Sequence, residues 1–373
     1  MSFESRFHGW SRTASALVLV TLLLVAGLTG AMAIKPIDVT GGMQATAADG
    51  EDMSDVKLYR SIIEDVRAGE NYYRSAARHH REYGYALQPF VTVRLPAVAL
   101  LSAYLGWAAM LGAALALVAA VSWVWNQRLK DLEPKRAAQY WPVMIGASAL
   151  LVCSPVLLTF HESWAGLLIA LSLGLRRPGV FGASVAVGLA AAVVRDLAVA
   201  YLLLMAAAAL IERRWLETCA WSGAIAVMAV VLALHAQAVG AVVLPGDLVS
   251  QGWNGQLGWP FYLAAVVKTS FLIIFPERLA HALVPLCLFG WLSWRSDLAL
   301  RTLGLLAGYA AMLMLFARQE NAYWSVLTTP LLFAGLVPAV LAIRQLIVQA
   351  DPEVATRLRA ALDRALPRRG MAP

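Results

Sequence analysis

Apolar runs recur along almost the whole chain, and several reach the ~20 residues that a helix needs to cross a bilayer. Inside lipid every backbone N–H and C=O has to be satisfied within the segment, so runs of this kind fold as helices. Composition agrees. Hydrophobic residues make up 60% of the 373 and charged residues 14%, with a mean hydropathy of +0.66. So few charges could not clothe a soluble protein of this length. The expected spans are 14–34, 96–125, 142–160, 164–175, 180–194, 197–211, 219–243, 282–294, 302–317 and 325–343. The fold class is therefore an all-α integral membrane protein of about ten transmembrane helices. Residues 1–345 form a polytopic membrane domain, and 346–373 form a basic tail.

The charges set the expected orientation. Basic residues gather at alternate connections: Arg6 and Arg12; Arg128, Lys130, Lys135 and Arg136; Arg176 and Arg177; Arg213 and Arg214; Arg295 and Arg301. The positive-inside rule places these, the tail and both termini in the cytoplasm. The other face then receives 35–95, 161–163, Arg195-Asp196, 244–281 and 318–324. Because the net charge of +7 sits in these connections and the tail, it speaks for anionic lipid heads and against nucleic acid. Many of the 13 tryptophans, among them Trp10, Trp125, Trp164 and Trp259, lie where apolar runs end, the depth that indole prefers. The three cysteines are scattered through apolar runs and read as packing residues. Residues 260–276, with Lys268, read as a re-entrant or interfacial helix, because a full crossing would put Arg295 and Arg301 on the wrong side. The start of the chain has the outline of a signal peptide ending at Ala31-Met32-Ala33, and is read here as a retained first helix.

Segment 35–95 is too polar for the membrane and too long for a turn. After a flexible Gly/Ala/Asp-rich stretch at 41–51, Tyr59, Ile63 and Val66 recur at helical spacing and Gly69 supplies a stop. This predicts an amphipathic helix opened by Asp55, lying on the membrane surface. A second is expected through 70–85, with Tyr72, Tyr73, Tyr83 and Tyr85 as interfacial anchors. A first span, an outer loop with Asp55-x-x-x-Tyr59, a glycine about ten residues on, and a Pro96 entry to the second span resemble the GT-C superfamily of membrane glycosyltransferases. Its members include aminoarabinose transferases and protein O-mannosyltransferases. His161-Glu162-Ser-Trp164, Arg195-Asp196 and Arg318-Gln-Glu320-Asn321-Ala-Tyr323-Trp324 fall at further outer turns. The chain departs from the aminoarabinose transferases at Val56, where a second acidic residue often stands, and the residues after 345 hold no counterpart of their outer domain.

The resemblance implies transfer of a sugar from a polyprenyl-phosphate donor to an acceptor on the periplasmic face of a bacterial cytoplasmic (inner) membrane. That chemistry asks for a carboxylate to take the acceptor's proton and for cations to meet the departing phosphate. Asp55 is the candidate base, with Asp52 its rival, and Glu162 would orient the acceptor or bind a metal. Arg195, Lys268 and Arg318 are the candidate phosphate contacts. Tyr59, Arg94, His161, Asp196, Glu320 and Asn321 are supporting positions. Each has a plainer reading. Asp55 suits a helix N-cap, Arg195-Asp196 a hairpin ion pair, Lys268 a snorkelling interface residue, and Glu162 a solvated turn. A divalent cation is compatible with this set, but His79, His80 and His161 have no partners at ligand spacing. The alternatives in other classes are a transporter or flippase, which would bring internal repeats and midplane charges, and a polysaccharide polymerase or ligase with a large late outer loop.

Overall fold

The computed structural model describes residues 3–33, 55–129, 140–150, 153–354 and 356. Asp52, the stretch 41–51 and most of the basic tail lie outside the described residues.

All regular structure among the described residues is helical. The principal helices are α1 (Arg12–Met32), α2 (Asp55–Arg67), α3 (Tyr72–Glu82), α4 (Ala97–Leu129), α5 (Tyr140–Leu150), α6 (His161–Leu175), α7 (Gly182–Val194), α8 (Val199–Ile211), α9 (Trp215–Gly240), α10 (Gly258–Lys268), α11 (Glu277–Ser293), α12 (Asp297–Leu315), α13 (Thr329–Leu332) and α14 (Leu336–Ala350). Five stretches are long and apolar enough to cross a membrane: α1, Phe90–Leu129, α9, α12 and Thr329–Ala350. Leu17, Leu23, Leu24 and Leu28 of α1 stay exposed, a surface suited to lipid rather than water. The run expected to be one span at 142–160 is instead α5 followed by a short 3-10 turn at Leu157–Thr159. Pro155 lies in this break, and it removes a backbone donor that a continuous helix would need.

The core is built from close helix pairs. α6 lies along α7, α8 along α9, and α1 against α11 and α14. At Gly290 and Gly335 the backbones of α11 and 333–335 approach so closely that a Cβ on either glycine would strike a carbonyl of the other segment. Ser11 and Ser296 cap α1 and α12 by accepting from Ala14 N–H and Ala299 N–H, as their position before each apolar run allows.

The two surface helices form as the periodicity predicts. Val56, Tyr59, Ile63 and Val66 recur on one face of α2, which packs on α3 and α4. Gly69, at φ +95°, ends the helix, its N–H bonding Val66 O at 3.1 Å and that of Glu70 bonding Asp65 O at 3.0 Å. Asn71 then caps α3 by accepting from the N–H groups of Tyr73 and Arg74. α2 also braces a kink in α4. Gly106 has φ +77°, which kinks the helix, and the carbonyls of Ser102 and Ala103 lie one turn before this kink. Arg67 donates to both carbonyls, at 3.2 and 3.3 Å. The layer carrying Asp55 is thereby tied to the first turns of α4. α10, at 11 residues, spans about 16 Å, about half the hydrocarbon thickness.

Candidate functional site

A cavity of about 350 Å³ opens where α2, the segment before α4, the α7–α8 turn, residues 250–253 and the end of α12 converge. Its lining combines Asp55, Tyr59, Tyr85, Arg94, Arg195, Asp196, Arg318, Glu320, Asn321 and Tyr323 with an apolar wall that includes Leu197, Trp253, Met312 and Phe316.

Local geometry explains how each group arrives. Asp55 opens α2 and is nearly buried, at 8% exposure. The hydroxyls of Tyr85 and Tyr323 donate to its carboxylate. Burial pushes this carboxyl above the ordinary aspartate range, and the Arg94 charge and the two hydroxyls pull it only partly back. Arg94 is held from behind by Tyr72, whose hydroxyl donates to Arg94 O at 2.7 Å. Its guanidinium donates to Tyr59 Oη at 3.1 Å and to Tyr323 Oη at 2.8 Å. Tyr323 thus links Arg94 to Asp55. His235 of α9 steadies the same stretch, one ring nitrogen meeting Val93 O and the other Tyr73 Oη.

Arg195 ends α7 with its guanidinium bound to Glu162 and to Asp196. Glu162 is wholly buried in the first turn of α6, which overturns its reading as a solvated turn residue. One of its oxygens serves Arg195, and the other has no hydrogen-bond partner among the described residues. Glu162 therefore stands behind the cavity wall and fixes Arg195. His161 stacks edge-on against Tyr59, 5.3 Å between ring centres, rather than reaching the cavity. Arg318 and Asn321 close the start of the 3-10 stretch Gln319–Leu327 on each other, Asn321 Oδ1 accepting from Arg318 N–H at 3.1 Å. Arg318 also ion-pairs with Glu320 at 2.7 Å.

The structure brings together most of the residues singled out from the sequence, with one clear exception. Lys268 lies at the C-terminal end of α10, exposed and away from the cavity lining. The helix enters near the cavity at Gly258 and carries Lys268 about 15 Å from that point. Asp52 lies outside the described residues. Among the described residues no group of three or more His, Cys, Asp or Glu side chains is arranged to hold a metal ion.

Sequence reasoning missed Tyr85, Trp253 and Tyr323 as site residues. Tyr85 is a cavity group rather than an interfacial anchor, and the reason is local. Gly84, at φ +69°, reverses the chain after α3, and Tyr85 N–H bonds back to His80 O at 2.7 Å. A tyrosine just past a stop glycine was the available signal. Trp253 arrives through pairing distant in sequence. Ser250 N–H bonds Gln88 O at 2.7 Å, Arg81 bonds Asp247 at 2.7 Å, and Gly255 packs its bare Cα against the Ala317 carbonyl.

No protein-family model, curated protein or solved structure matches this chain.

Proposed function

We propose that this chain is a membrane glycosyltransferase with a GT-C-like arrangement of about ten spans. In this reading it moves a sugar from a polyprenyl-phosphate donor to an acceptor hydroxyl at the periplasmic face of a bacterial cytoplasmic membrane. The observation that carries the reading is the setting of Asp55. A nearly buried carboxylate faces a cavity of about 350 Å³, held by hydroxyls rather than neutralised by an arginine, with arginines and an apolar wall around it. The acceptor O–H attacks the anomeric carbon while the bond from that carbon to the phosphate oxygen breaks. The proton passes to Asp55, and the electron pair leaves on the phosphate. Arg318 meets that charge, and the apolar wall accommodates the first isoprene units.

Consumption of polyprenyl-phosphate sugars by the purified protein in lipid nanodiscs tests the reading, with the freed polyprenyl phosphate as readout. No release across a panel of such donors and hydroxyl acceptors sinks it. Orientation is tested separately. Cysteines placed at the exposed positions Ala68 and Asn126 should label from opposite sides of sealed vesicles. Labelling of both from the same side would overturn the topology that places Asp55 at the periplasmic face.

A further inference from the structure

We infer that Glu320 occupies, on Arg318, the place of a phosphate group, and that ligand binding exchanges one anion for the other. The three cavity arginines differ in what holds them. Arg94 is engaged by two phenol oxygens and lies on the segment clamped by Tyr72 and His235. Arg195 is bound to Glu162, which is wholly buried, and to Asp196. Arg94 cannot turn toward a ligand without giving up both phenols, nor Arg195 without stranding the buried Glu162 carboxylate, a costly event. The only ion pair of Arg318 among the described residues is with Glu320, and the Glu320 side chain is 43% exposed. That contact is also poorly aligned. The two atoms lie 2.7 Å apart, yet the buried Arg318 Nε makes no hydrogen bond in proper geometry. A carboxylate that water can readily take back thus sits on the one cavity cation free to change partner.

A phosphate offers more acceptor oxygens, in a geometry matched to the guanidinium fork. Glu320 swings outward to solvent as the phosphate arrives, so the cavity's net charge is kept low when it is empty and the arginine is not left bare. The inference rests on the donor-site reading for its class of ligand, a phosphate carried on a prenyl chain.

The test measures binding of decaprenyl monophosphate, decaprenol and inorganic phosphate to the full chain in nanodiscs, through the fluorescence of the cavity tryptophans. Glu320→Gln should tighten decaprenyl monophosphate about fivefold by removing the competing anion. Arg318→Met should abolish that gain when combined with Glu320→Gln, and decaprenol binding should be unchanged throughout. A like gain for inorganic phosphate would show that the phosphate group alone is recognised; a gain confined to the lipid would show that the prenyl chain is needed. Unchanged or weaker binding by Glu320→Gln, or a gain that survives the loss of Arg318, overturns the inference. Sugar transfer with no gain overturns this inference alone, and a gain without sugar transfer overturns the donor-site reading alone.

Discussion

The same helices carry two charged clusters, one at each end, and the two are built differently. α6 runs from Glu162 to Arg176, α7 ends at Arg195, α8 leads to Glu212, and α12 runs from Asp297 toward Arg318. These helices are about 20–28 Å long, so the clusters stand well apart. At the end away from the cavity, Arg176 grips both oxygens of Glu217 at 2.8 and 3.0 Å and takes Asp297 at 2.6 Å. Arg301 and Arg214 both reach Glu212, at 2.7 and 2.9 Å. Charges there are spent on each other, in one bidentate pair and several single ion pairs that hold four helix ends together. At the cavity end, Arg94 spends its donors on phenols, and Asp55 receives hydroxyls instead of a guanidinium. Residue types are alike at both ends. The choice of partner decides whether a charge is consumed by the fold or left for a ligand.

Opposite outcomes at the two ends would sharpen this contrast, and the largest effect is expected at Asp55. Asparagine keeps the size and shape of the side chain. If Asp55 is the base, turnover of a lipid-linked sugar by Asp55→Asn should fall by about 10²–10⁴. Stability should not fall with it. A carboxyl raised by burial contributes stability that is whole below its unfolded value of 3.8 and is lost as pH rises through its folded value. The variant escapes that loss, so its melting temperature at pH 7 should equal or exceed the parent's. The rate itself should rise with pH through the elevated value, an acid limb missing from the variant's residual activity. Full activity in Asp55→Asn would remove the distinction between the ends.

Arg176→Met is the mirror experiment. It strands Glu217, which is 2% exposed, and unties Asp297. Losing one partner of a buried pair costs about 3–5 kcal/mol, so thermal stability in detergent should drop sharply. Turnover per folded molecule should remain near the parent's, because the cavity lies a helix length away. A protein with unchanged stability but impaired turnover would mean that the far cluster, too, is functional.

What could be read from the sequence follows the range of the forces involved. α2 was legible because its period and its stop glycine, Gly69, are local. The long apolar helices were legible because lipid thickness sets a length. Glu162 was misread because α6 begins three residues earlier than the apolar run, which takes the carboxylate inside. Lys268 looked like a site cation in an apolar context, but it lies exposed at the end of α10, away from the cavity lining. Tyr323 was placed on the right face but given no role, and Trp253 was not singled out. They join the cavity lining because 248–250 pairs with 87–88 and the stretch after α12 packs on α6 and α10, contacts between residues far apart in the chain.

The smallest predicted effect concerns which end loosens first in acid. His80 is buried on the cavity rim, and its Nδ1–H donates to Ala86 O at 2.9 Å, holding the reversal that presents Tyr85. Burial lowers its pKa from 6.5 to about 4, helped by the nearby Arg94 and His79 charges and opposed by the Ala86 bond. The unfolded chain therefore binds a proton near pH 6.5, which the folded protein refuses until about 4. The neutral ring's contribution is whole above pH 6.5 and is lost as pH falls toward 4, amounting to at most about 3 kcal/mol. The guanidiniums at the far end keep their charge across this range. Protection of the amides at 80–87 and 248–250, corrected for the intrinsic slowing of exchange in acid, should fall between pH 7 and 5, while that at 172–177 holds. His80→Asn retains a donor for Ala86 without titrating, so it should flatten the change. Equal loss of protection at both ends, or a slope unaltered in the variant, would show that His80 does not set the acid sensitivity of the cavity rim.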